Sequence, residues 1–248
     1  MSITLSVIMP AYNEQERICA NALETSKALE AFCESYELIV VNDGSTDETY
    51  KQAALAAAED NRIRIVDSPV NQGKGFALKL GTAQAVGERI AFCDADLDLH
   101  PHQLAGFMKL MDEQDADAVI GSKMHRDSKV DYPFLRRVYS YCYYLFLLAF
   151  FHLNTKDTQT GLKLFRASVI KPVMEKILVK RFACDIEILS IIRKQGGKIV
   201  SAPIEVVFRR GSFGRIGIKD VYSILRDTMA VFYRLNILHY YDESPKAD

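Results

Sequence analysis

Three aspartates at alternate positions are the residues of this sequence whose spacing most directly suggests chemistry. Asp94, Asp96 and Asp98 directly follow an apolar run. Extended backbone would place alternate side chains on one side, and carboxylates so close together repel one another unless a cation joins them. Such hard oxygen ligands suit Mg²⁺ or Mn²⁺, usually with substrate phosphates completing the shell. The spacing fits equally well a solvated acidic turn that caps a helix beginning near Pro101.

Two other polar segments also follow apolar runs. Residues 42–47 read Asn-Asp-Gly-Ser-Thr-Asp, in which Asp43 could accept hydrogen bonds from a nucleotide base while the following helix N-terminus favours an anion. A plain turn with a good N-cap explains the same residues. Residues 71–75 form a Gly-rich loop that carries Lys74 but lacks Walker-A spacing. Taken alone, this loop is weak evidence for phosphate binding.

Short strands that alternate with helices must position these segments. The predicted strands are apolar runs separated by helical patterns, at residues 5–9, 38–41, 63–66, 89–93 and 118–121. This alternation is typical of βαβ units, so we expect an α/β fold with a mostly parallel sheet flanked by helices. Ligands of such sheets bind beyond the carboxyl ends of the strands, where residues 12–14, 42–45 and 94–96 lie.

Two pairs of residues have the spacing of capping boxes. Asn13 with Glu16 and Ser45 with Glu48 are three residues apart, and each pair follows a predicted strand. A side-chain oxygen at the first position of such a pair accepts from the backbone N–H three residues later. We therefore expect Asn13 and Ser45 to cap the helices that follow the first two strands.

The second half of the chain is richer in aromatic and amphipathic patterns. Strands are predicted at 162–165 and 199–207 and a helix at 182–193, while 134–153 and 218–236 predict amphipathic helices and 242–248 a polar tail. The longest uncharged apolar run is residues 138–151, shorter than the roughly 20 residues that a membrane span needs. We expect neither a span nor a signal peptide.

The cysteines indicate neither a disulfide framework nor a zinc site. They are five in number, widely spaced and without a Cys-x-x-Cys pair: Cys19, Cys33, Cys93, Cys142 and Cys184. We therefore expect small buried thiols in a reducing compartment.

Charge is distributed unevenly along the chain. The 31 Lys and Arg nearly balance the 32 Asp and Glu, which argues against a general nucleic-acid binder. Residues 1–122, however, carry a net charge of −11 and residues 123–248 a net charge of +10. The second half could therefore meet an anionic partner, or the two halves could neutralise one another across an internal interface.

The order of these motifs resembles the family 2 glycosyltransferases with the GT-A (Rossmann-like) fold. The motifs are Val7-Ile8-Met9-Pro10-Ala11-Tyr12-Asn13-Glu14, Val41-Asn42-Asp43-Gly44-Ser45-Thr46-Asp47, Asn71-Gln72-Gly73-Lys74-Gly75 and Asp94-Ala95-Asp96. Three later segments, 121–123, 157–165 and 182–187, look like the dolichyl-phosphate mannose and dolichyl-phosphate glucose synthase branch. The resemblance covers about residues 5–215 and implies one domain, with a nucleotide-sugar half (1–122) and an acceptor half (123–241).

The resemblance also implies roles for individual residues. Asp96 would be the principal metal ligand, Asp94 would face the ribose or sugar side of the donor, and Asp98 could add a ligand to Mg²⁺ or Mn²⁺. The other donor-binding positions are Pro10, Tyr12, Glu14, Asp43 and Lys74, with Arg209 and Arg210 in a basic loop over the diphosphate. Solvated acidic and basic loops remain the alternatives.

Asp185 lies where relatives place either a general base or a group that positions the sugar. Which of these roles it has depends on the acceptor. A polyprenyl phosphate is already ionised and needs no base, whereas a hydroxyl acceptor does. Lys123, Arg136 and Arg137 are the candidate ligands of the acceptor phosphate. Lys123 stands where relatives carry arginine, so bidentate recognition is lost there.

The resemblance therefore predicts an inverting, metal-dependent hexosyltransferase with a polyprenyl-phosphate acceptor. UDP-glucose is the preferred donor, while GDP-mannose, a hydroxyl acceptor, or a nucleotide-binding membrane-surface protein without activity are the alternatives. The amphipathic helices would contact the membrane interface, although packing on the sheet explains their pattern as well. We expect a peripheral protein on the cytoplasmic face of a membrane, with no nucleic-acid partner. It either binds the membrane by itself or depends on a partner protein for anchoring.

Overall fold

The computed structural model describes residues 3–130, 147–148, 150–151, 157–181, 183–208 and 218–242. In the last of these segments, side chains are described from residue 225 onward. The strands of this part are β1 Leu5–Ala11, β2 Tyr36–Asp43, β3 Ile63–Ser68, β4 Arg89–Phe92, β5 Ala118–Ser122, β6 Lys163–Arg166 and β7 Ile199–Pro203. The helices are α1 Ile18–Glu30, α2 Thr49–Glu59, α3 Lys74–Gln84, α4 Leu104–Glu113, α5 Ala167–Lys176, α6 Cys184–Lys194 and α7 Ile218–Asn236.

The described strands form one sheet in the order β3-β2-β1-β4-β6-β5-β7. The first four strands are parallel to one another, β5 and β7 are parallel to each other, and β6 runs antiparallel between β4 and β5. The predicted mostly parallel α/β sheet flanked by helices is therefore confirmed. The strand predicted at 199–207 ends earlier, at Pro203, where the isolated pairing of Glu205 with Lys129 replaces the ladder.

Alternate residues of the central strands enter two different apolar layers. Ile8 of β1 joins the layer on α3, α5 and α6, whereas Val7 and Met9 join the layer on α1 and α4. This is the two-residue period of a strand buried on both faces. The sheet is thereby held rigidly between helices, and the loops at its carboxyl edge carry the polar segments.

Both predicted helix caps are wrong. Helix α1 begins only at Ile18, and Asn13 adopts a left-handed φ of 53° while its side chain turns toward the loop after β2. Helix α2 begins at Thr49, whose backbone N–H donates to Asp47 rather than relying on Ser45. The polar side chains at these strand ends therefore join two loops to each other.

The second half follows the prediction in most of its described part. The helices predicted at 182–193 and 218–236 are α6 and α7, whereas α5, which contains Pro172, had no predicted counterpart. Most of the amphipathic segment 134–153, Cys142 and the tail beyond Asp242 lie outside the described residues. The four described cysteines are free thiols. None of the described helices combines the length and apolarity that crossing a bilayer requires.

Candidate active site

The loops after β1 and β2 are bound together at the carboxyl edge of the sheet. The backbone N–H of Thr46 donates to Asn13 Oδ1 at 2.9 Å, and the N–H of Asn13 donates to Ser45 Oγ at 3.0 Å. The N–H of Glu14 donates to Thr49 Oγ1 at 2.7 Å. These contacts fix the backbone on which the predicted donor-binding residues of both loops stand.

The three predicted donor-binding residues of β1 and its loop lie at this edge. Pro10 pairs with Val41 of β2, which places it at the end of the strand. Tyr12 is 45% exposed, and Glu14 is partly buried beside it in sequence. An exposed aromatic ring next to backbone held in place is a surface on which a flat ligand could stack.

Asp43, at the end of β2, organises the loop that leads into α3. Its carboxylate is almost completely buried and accepts hydrogen bonds from the backbone N–H groups of Gln72 at 3.0 Å and Gly73 at 2.7 Å. Gly73 has a φ of 103°, a left-handed conformation that favours glycine. Both of these contacts are to protein backbone, and they set the position at which α3 begins with Lys74.

Lys74 reaches across to the end of β4. Its Nζ lies 2.5 Å from Asp94 Oδ1, and both side chains remain partly exposed. Burial by itself would lower the pKa of Lys74, but the charges of Asp94 and Asp185 outweigh it and raise that pKa above its ordinary range. Burial by itself would raise the pKa of Asp94. The ammonium groups of Lys74, Lys163 and Lys123 outweigh this effect and hold the pKa of Asp94 below its ordinary value.

Gly161 makes room for the Asp94 carboxylate. A Cβ at Gly161 would overlap with the carboxylate of Asp94, so this close approach requires glycine. Gly161 lies two residues before β6, and β6 runs beside β4 in the sheet. The second half of the chain therefore forms one wall around the end of β4.

The acidic triplet does not form the extended arrangement that its spacing predicts. The chain turns at Ala95 and Asp96, with the N–H of Leu97 directed to the carbonyl of Asp94 and a φ of 54° at Leu97. Asp96 accepts a hydrogen bond from the N–H of Asp98 at 3.2 Å. In the described part of the chain, no three His, Cys, Asp or Glu side chains gather as a set that could hold a metal ion.

The carboxylates that remain partly exposed still suit a metal ion shared with a substrate. Asp94 and Asp96 are both partly exposed at the carboxyl edge of the sheet, and their oxygens are the hard ligands that Mg²⁺ and Mn²⁺ prefer. Mg²⁺ usually takes only one or two carboxylates and completes its shell with water and phosphate oxygens. The donor set therefore fits a metal ion bound jointly with a diphosphate.

Asp185 is held by a lysine that the sequence interpretation missed. Asp185 lies in the first turn of α6, and its Oδ1 is 2.8 Å from Nζ of Lys163, with both side chains almost completely buried. Lys163 also donates to the carbonyl of Thr160. The available signal was a single lysine between Leu162 and Leu164, where the apolar strand pattern expects no charge.

The two ion pairs stand close enough to influence each other. The pKa of Lys74 responds to Asp185 as well as to Asp94, and the pKa of Asp94 responds to Lys163 as well as to Lys74. Four charges of alternating sign thus line the carboxyl end of β4 and the start of α6. The partly exposed members, Lys74 and Asp94, offer a cationic and an anionic contact to a ligand at this edge of the sheet.

Among the predicted acceptor ligands, only Lys123 lies in the described part. It follows β5, and its backbone N–H donates to Asp157 Oδ2 at 3.1 Å, which ties this strand end to the segment before Gly161. Its charge contributes to the lowered pKa of Asp94, so it belongs to the same neighbourhood. Arg136, Arg137, Arg209 and Arg210 lie outside the described residues.

A buried glutamate connects α6 to the loop that supports α3. Glu187 accepts hydrogen bonds from the N–H groups of Leu178 at 3.1 Å and Val179 at 2.8 Å, and from Arg234 of α7 at 3.2 Å. The carbonyl of Lys180, in the same loop, accepts from the N–H of Gly75 at 2.9 Å. The position of Lys74 therefore depends on both halves of the chain.

Comparison with known proteins agrees with this geometry. The model of the family "Glycosyl transferase family 2" matches residues 6–174. A dolichyl-phosphate beta-glucosyltransferase of Trichomonas vaginalis, ALG5A, is 31% identical over 248 residues, covering 94% of this chain and 75% of the relative. The dolichyl-phosphate beta-glucosyltransferase of Dictyostelium discoideum is 31% identical over 208 residues, covering 78% of this chain and 63% of the relative.

Solved structures share the fold at lower sequence identity. Glucosyl-3-phosphoglycerate synthase from Mycobacterium tuberculosis, in complex with Mn²⁺, UDP and glucosyl-3-phosphoglycerate, superposes with a TM-score of 0.71 at 20% identity, covering 98% of this chain and 82% of that chain. A likeness at this identity establishes the GT-A fold and nothing finer. The family match extends over more than half of the chain, so this protein belongs to glycosyl transferase family 2 and is a glycosyltransferase.

Proposed function

We propose that this chain transfers a hexose, with inversion, from a nucleotide sugar to a polyprenyl phosphate at a membrane surface, and that glucose from UDP-glucose is the preferred donor. The names of the two sequence relatives described above support this acceptor, since both are dolichyl-phosphate beta-glucosyltransferases. The preference for UDP-glucose rests on the same relatives and on the resemblance of residues 157–165 and 182–187 to the glucosyl branch.

The observation that carries the proposal is the pairing of Asp185 with Lys163. A carboxylate that is almost completely buried and bound to an ammonium group at 2.8 Å is poorly placed to take a proton from an acceptor hydroxyl. A polyprenyl phosphate avoids this requirement because its oxygen is already ionised at neutral pH. The pairing therefore favours a phosphate acceptor, with Asp185 positioning the donor sugar.

On the donor side, each residue is assigned by its place at the sheet edge. Pro10, Tyr12 and Glu14 line the base and ribose, with Asp43 holding the loop that completes this pocket. Lys74 provides a cation for the diphosphate, and Arg209 and Arg210 are proposed to close over it. The carboxylates of Asp94 and Asp96 would hold Mg²⁺ or Mn²⁺ with the diphosphate, and the ion would neutralise charge developing on the leaving group.

The proposed reaction exchanges one C–O bond for another. A phosphate oxygen of the acceptor attacks the anomeric carbon, the bond from that carbon to the diphosphate breaks, and the nucleoside diphosphate leaves with the electron pair. Lys123, Arg136 and Arg137 are proposed to guide the acceptor phosphate into line. Since the attacking oxygen approaches opposite the leaving group, the anomeric configuration inverts.

Helix α7 supplies the proposed membrane contact. Leu225, Met229 and Tyr233 are exposed at four-residue spacing, and Ile237 continues the row just beyond the helix. The opposite side of α7 is buried, as at Val231. An exposed apolar row on an amphipathic helix is the pattern of interfacial helices, and another membrane protein could strengthen the attachment. Vesicle flotation tests this contact, and charged replacements at Met229 and Tyr233 should abolish it.

A donor panel tests the proposed reaction. Purified protein, Mg²⁺ and dolichyl phosphate are incubated with radiolabelled UDP-glucose, GDP-mannose and UDP-galactose, and label extracted into organic solvent is counted. We expect lipid-soluble label with UDP-glucose, its loss in EDTA and its return with excess Mn²⁺ or Mg²⁺. Label only with GDP-mannose would correct the donor, and lipid-soluble label with none of the donors would contradict the proposed function.

A further inference from the structure

Lys163 is an unusual residue for its position in the fold. It lies in β6, in the middle of the sheet between β4 and β5, and is 1% exposed. A buried ammonium group is costly unless it is paired and hydrogen-bonded, and an apolar side chain would fit such a strand at no such cost. Lys163 therefore needs an explanation beyond the stability of the sheet.

The contacts of Lys163 all lead toward the active site. Its Nζ donates to Asp185 Oδ1 at 2.8 Å and to the carbonyl of Thr160. Thr160 precedes Gly161, against which the Asp94 carboxylate is packed. A single buried cation thus joins the start of α6 to the turn beside the end of β4.

We infer that Lys163 is a positioning residue for sugar transfer, which fixes the orientation of the Asp185 carboxylate toward the donor sugar. This inference rests on the proposed function, in which Asp185 contacts the sugar. The two side-chain hydrogen bonds of Lys163 go to Asp185 and to the Thr160 carbonyl, so its role is exerted through Asp185. Correct placement of the sugar matters because a displacement of about 1 Å from the reactive geometry can cost about 100-fold in rate.

The first test replaces Lys163 with methionine, which keeps the length of the side chain and removes its charge. We expect Lys163→Met to lower kcat for UDP-glucose by about 100-fold while the Kd for UDP, which has no sugar, stays within about twofold of wild type. The matched control is Lys109→Met, because the Lys109 side chain is 76% exposed on α4. The control should leave both kcat and the UDP affinity unchanged.

The second test asks whether Lys163 acts through Asp185. Asp185→Asn and the double variant Lys163→Met, Asp185→Asn are compared, and the double variant also removes the unpaired buried charge that could prevent folding. If Lys163 acts only through Asp185, the double variant should have the kcat of Asp185→Asn within about threefold. Losses that multiply in the double variant would overturn the inference, as would a kcat of Lys163→Met close to wild type.

A general structural role predicts a different result. In that case Lys163→Met would weaken UDP binding together with kcat, and this joint loss would also overturn the inference. Failure of the proposed function is recognised separately, since it appears as absence of lipid-soluble product with the wild-type protein. Calorimetry with UDP and UDP-glucose then still tests Lys163, because its loss should remove any difference in affinity that the sugar makes.

Discussion

The two ion pairs of the active site differ in their access to water. Lys74 and Asp94, which we call the mouth of the site, keep 19% and 36% of their side-chain surfaces exposed, whereas Lys163 and Asp185, which we call its floor, keep 2% and 5%. Both pairs join a lysine to an aspartate over a similar distance. They differ in what surrounds them, and this decides what each can do.

A partly exposed pair can exchange partners, whereas a buried pair cannot do so without leaving a charge unpaired. Water and an incoming diphosphate or metal ion can replace either member of the Lys74–Asp94 pair at small cost. Separation of Lys163 from Asp185 would strand a charge in an apolar layer. We therefore assign ligand chemistry to the mouth of the site and fixed geometry to its floor.

The largest expected contrast is in stability. Lys163→Met should lower the free energy of unfolding by about 3–5 kcal/mol, because Asp185 is left buried without its partner. Lys74→Met should cost less, about 1–2 kcal/mol, since Asp94 keeps part of its access to water. Urea unfolding followed by circular dichroism measures both values. Equal losses at the two lysines would show that the comparison between mouth and floor is wrong.

The next contrast concerns chemistry at the mouth. Asp96→Ala should lower turnover by about 100- to 1,000-fold, the usual cost of losing a group that stabilises charge developing in the transition state. Its unfolding free energy should stay close to wild type because the side chain is partly exposed. Asp112→Ala on α4, with 54% of its side chain exposed, is the matched control and should leave turnover unchanged. Full activity of Asp96→Ala would show that Asp96 is not the metal ligand that we propose.

A glycine where the two regions meet gives a smaller effect. Gly161→Ala places a methyl group against the Asp94 carboxylate and should reduce turnover by about 10- to 100-fold by displacing it. Gly106→Ala is the control, since a Cβ there meets no atom within 4 Å and should stabilise α4 by about 0.5–1 kcal/mol. Wild-type turnover of Gly161→Ala would mean that the position of Asp94 is not critical.

The sequence predicted the parallel part of the molecule better than the part around it. Apolar runs followed by polar segments locate β1, β2 and β4, and parallel strands bring their carboxyl ends together without further information. The caps were mispredicted because Asn13 and Ser45 have partners on a neighbouring loop, about thirty residues away. Local spacing contains no signal of such pairing.

The floor of the site, Lys163 and Asp185, is harder to predict because its contacts depend on β6. This strand runs antiparallel between β4 and β5, and that insertion brings Lys163 to Asp185, 22 residues further along the chain. Asp185 itself was identified from the family resemblance. Its partner Lys163 was not identified, because a single lysine within an apolar strand belongs to no periodic pattern.

We propose above that the acceptor is a polyprenyl phosphate, whose attacking oxygen is already ionised, because Asp185 is bound to Lys163 and does not act as a general base. The most direct measurement compares dolichyl phosphate with dolichol, the corresponding alcohol, under saturating UDP-glucose and Mg²⁺. We expect glucosylated lipid from the phosphate and none above background from the alcohol. Comparable turnover of dolichol would contradict the proposed phosphate acceptor, because transfer to a hydroxyl requires a general base and Asp185 is bound to Lys163.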